Sequence, residues 1–317
     1  MSVGTAGECF TFSCLANSSI EIWRHPLLIL DKHGRIIVVF AGVPEDPEWP
    51  SVLAGAASAM KQAREEGLRT GAFSLDDENH RRGSFIPVTG GISHGGGQKR
   101  PGNLAMPTAR RRIFDKLRAN KDIRRACGFQ SSIFRAFGPK LFVDYVNHLQ
   151  PLFEHDPSLR HNFSNSILPT VTFNLGPKSV TFEHADELNR PLGWCFVTNN
   201  GHFDPRKSAH LYLKQLKLVV EFPPTSTSAF PSAVIEHGNT PLGPDETRYA
   251  ITQYAPGGLF RWVKYGFKTS KQLLAQKGGA ALKAMYDGLP GQRRADGLDL
   301  FSEVDELASD HAACFSK

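Results

Sequence analysis

An α+β fold, in which helices flank a double-stranded β-helix (a jelly-roll, cupin-like core), is what this 317-residue sequence predicts. Three observations predict it. After Phe163 about seven short β-rich runs follow one another, separated by Asn, Gly, Pro and Asp turns with no helical pattern between them. Before Phe163 the apolar residues recur mainly at helical spacing. The composition, 40% hydrophobic and 21% charged, is that of a chain able to bury a core.

Pro26 to Leu30 and Arg35 to Phe40 are apolar runs joined by Asp31-Lys32-His33-Gly34, which predicts a hairpin. Ser51 then caps an Ala-rich helix reaching Glu66. From Phe73 to Pro107 the glycines Gly90-Gly91 and Gly95-Gly96-Gly97, with Pro101-Gly102, predict a loop. That loop lacks the Gly-Lys-Ser/Thr ending of a nucleotide-triphosphate site. Helices are expected at Thr108 to Asn120 and Pro139 to Phe153; in the second, Leu141, Phe142, Tyr145, Val146, Leu149 and Leu152 share one face. The expected strands are Pro169 to Asn174, Ser179 to His184, Gly193 to Thr198, His210 to Leu213, Lys217 to Phe222, Ala229 to Ile235 and Thr247 to Tyr254, with a turn at Asn199-Asn200-Gly201. A last helix spans Ser270 to Tyr286. We read residues 1–317 as a single domain. It has a helical and hairpin part with a basic segment at 1–162, the jelly-roll core at 163–260, and a helix with an acidic tail at 261–317.

The five cysteines, Cys9, Cys14, Cys127, Cys195 and Cys314, are scattered and lack a Cys-x-x-Cys pair, which argues against a zinc ribbon or a disulfide framework. Charged residues interrupt the early apolar region Leu27 to Val43, so neither a leader nor a membrane span is expected. Charge is unevenly spread. Lys99 to Arg125 carries ten Lys or Arg against Asp115 and Asp122, whereas Ala295 to His311 carries six acids and no Lys or Arg. The basic block suits a phosphate backbone, and it suits equally a solvated helix face. Lys99-Arg100 with Arg110-Arg111-Arg112 has the form of a split import signal, from which a nuclear location is expected.

No Gly-x-Ser-x-Gly elbow, His-Glu-x-x-His helix or zinc-deaminase signature occurs, and Cys195 lies in the apolar run Trp194 to Val197, a core position. Histidine and carboxylate remain. Two His-x-Asp triplets occur, His184-Ala185-Asp186 and His202-Phe203-Asp204; with 12 His and 31 acids in the chain, about one His-x-acid triplet arises by chance. A 2-His-1-carboxylate iron site needs such a pair at a strand end, plus a second His delivered by the fold. It also needs a cation for the co-substrate's carboxylate, to which the fork of Arg is suited. His237 and then Arg248 supply these, and the interval from His184 to His237 holds the expected strands better than the interval from His202. Parity puts Lys178 on the face of His184, and puts Arg248 and Tyr254 together on the face of the pocket. His202-Phe203-Asp204-Pro205 is assigned to a turn.

Taken together, His184, Asp186, His237 and Arg248 on a jelly roll resemble the iron(II) and 2-oxoglutarate dioxygenases. The stretch Asn174 to Gly258 is similar, more narrowly, to the TET/JBP branch that oxidises methylated bases in DNA, its fungal members especially. The matching pieces are Phe-Glu-His-Ala-Asp-Glu-Leu-Asn at 182–189, Gly-His-Phe-Asp-Pro at 201–205, Pro-Ser-Ala-Val-Ile-Glu-His at 231–237 and Thr-Arg-Tyr-Ala-Ile-Thr-Gln-Tyr at 247–254, with Ala-Cys-Gly-Phe-Gln at 126–130 matching more loosely. Pro256 stands where family members often carry His.

The resemblance implies Fe(II) held by His184, Asp186 and His237, and 2-oxoglutarate held by Arg248 with Lys178 as a candidate second contact. It implies that Asn189 contacts the edge of the base and that Tyr254 stacks on it. The Gly-rich loop, with His94, Gln98 and Asn103, is expected to fold over the pocket and read the base. The implied partner is double-stranded DNA with methylated bases, 5-methylcytosine foremost, flipped out of the stack and gripped by the basic block; no membrane and no protein partner is expected. N6-methyladenine in DNA or RNA, and a protein side chain, are the alternative substrates of the same iron chemistry. A non-enzymatic DNA-binding derivative is the alternative of another class, against which the four retained motif residues argue.

Overall fold

The computed structural model describes residues 10–11, 26–286 and 292–316. Its strands of three or more residues are, in chain order, β1 (Leu27–Leu30), β2 (Ile36–Gly42), β3 (Ile86–Ser93), β4 (Thr170–Leu175), β5 (Cys195–His202), β6 (Leu211–Leu213), β7 (Leu218–Val220), β8 (Thr227–Phe230), β9 (His237–Asn239) and β10 (Thr247–Tyr254). The helices are α1 (Trp49–Thr70), α2 (Thr108–Ala119), α3 (Lys121–Phe137), α4 (Pro139–His155), α5 (Gly257–Lys264), α6 (Ser270–Tyr286), α7 (Gln292–Leu298) and α8 (Leu307–Phe315). The large sheet runs β1-β2-β8-β5-β10-β4-β3 with antiparallel pairing, and the short pair Gly102–Asn103 extends it beyond β3. A small sheet runs β7-β6-β9.

Alternation along the strands builds three layers. From β4 and β10, Val171, Phe173, Leu175, Tyr249 and Ile251 turn outward and pack under α1, α2 and α3 together with Ile113, Phe114 and Leu117. Further along the same face, Phe196, Ala229, Ile36 and Val39 pack against α3 and α4 through Phe134, Tyr145 and Leu149. On the inner face Val38, Phe40 and Phe230 of the large sheet meet Leu211, Leu213, Leu218 and Val220 of the small one, so the two sheets close on each other at this end. The protein is therefore an α+β structure with helices on one face of the large sheet and a small sheet on the other.

Where the observed elements depart from expectation, packing is the reason. The expected loop Phe73 to Pro107 contains β3. Gly90 there lets the Phe114 ring lie against the strand, where a Cβ would sit 2.1 Å from a ring carbon. Pro87 is tolerated because β4 flanks β3 on one side only at that height, the short pair on the other side reaching just Ile92 and Ser93, so its missing N–H breaks no ladder. Helix α3 departs from expectation too. Its N-cap is Asn120, whose side chain accepts from the N–H groups of Asp122 and Ile123 at 2.9 and 3.1 Å. The stretch Ser179 to His184 is no continuous strand: Ser179 donates to Arg248 O, Phe182 to Arg82 O and His184 to His237 O, three different partners. Asn199-Asn200-Gly201 is not a turn but the buried end of β5, paired with β10. The expected strand Ala229 to Ile235 stops at Phe230, and Val234 and Ile235 turn back to donate to Pro231 O.

Cys127 and Cys195 are buried thiols and Cys314 is half-buried; all three are free, and Cys9 and Cys14 lie outside the described residues. No helix among the described residues is long and apolar enough to cross a membrane.

Candidate metal centre

Backbone pairing places the ligands. His184 N–H donates to His237 O at 3.0 Å and His237 N–H to His184 O at 2.9 Å, a reciprocal antiparallel pair that sets the two imidazoles side by side. Their ring centroids are 4.4 Å apart. Two residues on, Asp186 N–H donates to Ser232 O at 2.9 Å, which turns its carboxylate toward them. Ligand atoms of His184, Asp186 and His237 all lie within 4.8 Å of one another, and all three residues are buried.

The tautomers are fixed by geometry. His184 Nδ1 lies 2.7 Å from Phe182 O and His237 Nδ1 2.9 Å from Ile235 O; a carbonyl only accepts, so each Nδ1 carries the proton and each Nε2 offers a lone pair. Burial holds both imidazoles neutral, lowering His184 and taking His237 down to about 4. His184 Nε2 faces Asp186 Oδ1 at 3.7 Å. Two neutral imidazoles and one carboxylate are a donor set for a divalent cation, and these residues can hold a metal ion. Arg82 Nη2 approaches Asp186 Oδ1 to 2.9 Å, an ionic approach off the line of a good hydrogen bond, which leaves that buried oxygen without a proper donor.

The site opens into a cavity of about 340 Å³ between the sheets. Thr172, Asn174, Arg248, Ala250, Thr252 and Tyr254 project into it from β4 and β10, as parity requires, while the residues between them face the helices. Arg248 is 2% exposed and meets no carboxylate among the described residues. Its Nη1 donates to Ser179 O, its Nε is buried without a partner, and burial pulls its pKa down to about 9. A buried cation with an unused donor calls for an anionic ligand. Tyr254 sits at the other end of β10, its hydroxyl 3.5 Å from Thr172 Oγ1 and its pKa pushed up to about 12 by burial.

Other expected residues are elsewhere. Lys178 leaves the cavity wall: its Nζ donates to Gly243 O and, at 2.6 Å, to Pro244 O, because its ammonium reaches a loop rather than the sheet interior. Asn189 backs the metal site instead of lining the cavity; its Nδ2 is 3.4 Å from Asp186 Oδ2 and 3.1 Å from Ser232 Oγ. Gln98 locks its own turn, accepting from Gly95 N–H at 3.1 Å, and Asn103 bridges to Ser158 O and Arg160 N–H. Neither lines the cavity, and His94 binds Gly258 O at 3.1 Å. His202 is exposed but ends β5, paired with Thr247, so the expected turn begins only at Pro205, after Asp204, whose carboxylate is taken by Arg206.

The segment that does reach the cavity carries no signal in the sequence. His80, Arg81, Arg82 and Phe85 line it, brought there by a small hairpin whose Arg82 carbonyl accepts from Phe182 N–H at 2.8 Å. An Arg-Arg-Gly turn about a hundred residues before His184 has no spacing that links the two. The helical part of the basic block, Arg110 to Arg125, lies on the opposite side. Its helices cover the outer face of the large sheet, and Arg110, Lys116, Arg118 and Arg125 are engaged by Asp77, Glu66, Asp115 and the pair Asp46 and Glu48.

No family model and no curated protein matches this chain. Among solved structures, NgTET1 in complex with 5mC DNA is similar with a TM-score of 0.51 and 14% identity, over 74% of this chain and 78% of that one. AviO1 from Streptomyces viridochromogenes Tue57 aligns with a TM-score of 0.34 and 12% identity, over 72% of this chain and 96% of that one. At these identities the first likeness is one of fold, and the second adds nothing to it.

Proposed function

We propose that the protein is an Fe(II)- and 2-oxoglutarate-dependent dioxygenase that oxidises the methyl group of a base in DNA, 5-methylcytosine first. One observation carries the reading: a buried His184, Asp186 and His237 triad shares its cavity with a buried, acid-free Arg248. The strand order supports a jelly roll, since β8-β5-β10-β4 face β7-β6-β9 and His184 pairs with the free edge of β9. Ferrous iron with a 2-keto acid supplies oxidation of an unactivated C–H bond. The chain's own groups do the rest. Arg248 binds the far carboxylate of the keto acid with two or more N–H donors. Phe222, Phe230, Leu211 and Val197 keep water from the cavity, and Tyr254 offers a flat wall to an inserted base. A cavity near the lower end of the roughly 300–1,000 Å³ range of ligand pockets suits a keto acid and one flipped base better than a folded peptide. The likeness to NgTET1 in complex with 5mC DNA adds a fold on which such a substrate is bound.

The test is nucleoside mass spectrometry after incubation with Fe(II), 2-oxoglutarate and duplexes carrying 5-methylcytosine or N6-methyladenine, beside methylated RNA and a peptide pool. Hydroxymethylcytosine with matching succinate is expected. Oxidation of RNA or peptide alone would transfer the site to another substrate, and no succinate under any condition would end the dioxygenase reading.

A further inference from the structure

A second concavity of about 280 Å³ lies where the Gly-rich loop meets α5 and the start of α6. Arg261, Lys268 and Lys271 line it with Trp262 and Tyr265, and no Asp or Glu does. None of the three cations has an ion-pair partner among the described residues. Three consecutive glycines, Gly95, Gly96 and Gly97, form the facing wall with φ of +154°, +54° and +88°, a backbone course that side chains rarely follow. Added Cβ atoms there would touch nothing, so close packing does not explain the glycines; the shape of the backbone does. Gln98 clamps the turn through Gly95, its N–H donating to Gly95 O at 3.0 Å and its Oε1 accepting from Gly95 N–H at 3.1 Å. The N–H groups of Gly96 and Gly97 find no acceptor among the described residues. Free successive N–H groups beside several cations are how proteins take phosphate.

The groove adjoins the catalytic cavity. His94 O packs so closely on Gly258 that a Cβ there would meet it at 1.9 Å, and only Ala255 to Gly257 separate Gly258 from the cavity-lining Tyr254. We propose that this groove is the nucleic-acid phosphate site of the protein, holding the backbone beside the nucleotide whose base enters the cavity. This rests on the function proposed above for its substrate class. It assigns the grip to Arg261, Lys268 and Lys271 rather than to the helical cations Arg110 to Arg125, which lie across the sheet.

Fluorescence anisotropy of a labelled duplex of about 20 base pairs bearing one 5-methylcytosine tests it, with the full chain titrated at several salt concentrations. Lys268→Glu with Lys271→Glu is expected to weaken binding at least tenfold and to flatten the dependence of log K on log salt by about one for each phosphate no longer neutralised. Lys121→Glu with Arg124→Glu, exposed on the far face, should change binding less than twofold. Unchanged melting and unchanged Mn(II) affinity establish that the groove variant is folded with its metal site intact; if it melts early, Lys268→Gln with Lys271→Gln replaces it. Equal binding by the groove variant, loss of binding in the far-face variant alone, or failure of the wild type to bind the duplex overturns the assignment. Succinate and nucleoside products are read separately, so a protein that binds through the groove but oxidises no base would sink the function proposed above and leave the groove standing.

Discussion

The two faces of the large sheet follow one alternation rule and are put to opposite uses. Outward, Phe173, Val171 and Ile251 meet helices in an apolar cluster, and the buried polar groups beside them, Gln253 and Thr198, are hydrogen-bonded to Gln130. Inward, from the same strands, come Asn174, Thr172, Arg248 and Tyr254, toward a cavity that also holds two imidazoles and a carboxylate. The outer face has the composition of a stability element. The inner face carries what stability would discard: a guanidinium 2% exposed with no acid beside it, and a buried carboxylate oxygen without a good hydrogen bond. Burying such groups costs free energy unless a ligand later pairs with them. The difference teaches that one face holds the fold and the other holds a binding capacity, and substitutions can separate the two.

The largest effect belongs to the inner face. Asp186→Ala removes the only carboxylate of the triad, and Mn(II) binding followed by calorimetry should fall below detection, with turnover at background. Melting should stay within a few degrees of wild type, because no apolar packing is removed. Phe173→Ala is the mirror image. It empties a fully buried site between β4 and α2 and should cost about 3–5 kcal/mol in urea unfolding, while metal affinity of the remaining folded protein is retained. A Phe173→Ala variant as stable as wild type, or an Asp186→Ala variant that unfolds, would break the division of labour.

Arg248→Met sharpens it further. Removing an unpaired buried charge should leave stability unchanged or raise it by on the order of 1 kcal/mol, while 2-oxoglutarate binding to the Mn(II)-loaded protein is lost. A strongly destabilised variant would mean that Arg248 is a structural brace through Ser179 O rather than an anion site. Asn189→Ala comes next, since it acts through another residue: Nδ2 steadies Asp186 and Ser232, so Mn(II) affinity should fall about 10–100-fold with the triad itself intact.

Local signals told the inner face well and the routes between elements poorly. Arg248 and Tyr254 can be placed together on paper because strand parity is a two-residue rule, and β10 runs over the very residues, Thr247 to Tyr254, that alternation marks; His184, Asp186 and His237 are joined instead by the His-x-Asp triplet and the interval to the second His. Lys178 obeys the same parity and still leaves, because the segment after it takes three different partners and is not a strand. The Gly-rich loop lies at a different cavity from the one expected: glycines announce freedom of the backbone, not which surface it meets. Charge misleads for a related reason. Ten cations in one stretch are visible in sequence, yet the acids of Asp46, Glu48, Glu66 and Asp77 that engage several of them are 33 or more positions away. Arg81 and Arg82 are invisible for the same cause, since backbone pairing of Arg82 with Phe182 and of Gly83 with Thr181 brings them in.

Tyr254→Phe tests the inner face at its finest grain. The hydroxyl stands 3.5 Å from Thr172 Oγ1, at the limit of a hydrogen bond, so deleting it should cost under about 1 kcal/mol. With its pKa pushed up to about 12 the phenol stays protonated at neutral pH and cannot serve as a base. What the Phe variant keeps is the flat ring, and turnover on methylated duplex should change less than about twofold. Tyr254→Ala removes that ring and should weaken duplex binding by about 1–3 kcal/mol, the size of one stacked base. If the Phe variant instead falls as far as the Ala variant, the hydroxyl itself touches the reacting base, and the inner face is reading hydrogen bonds where a stacking wall was inferred.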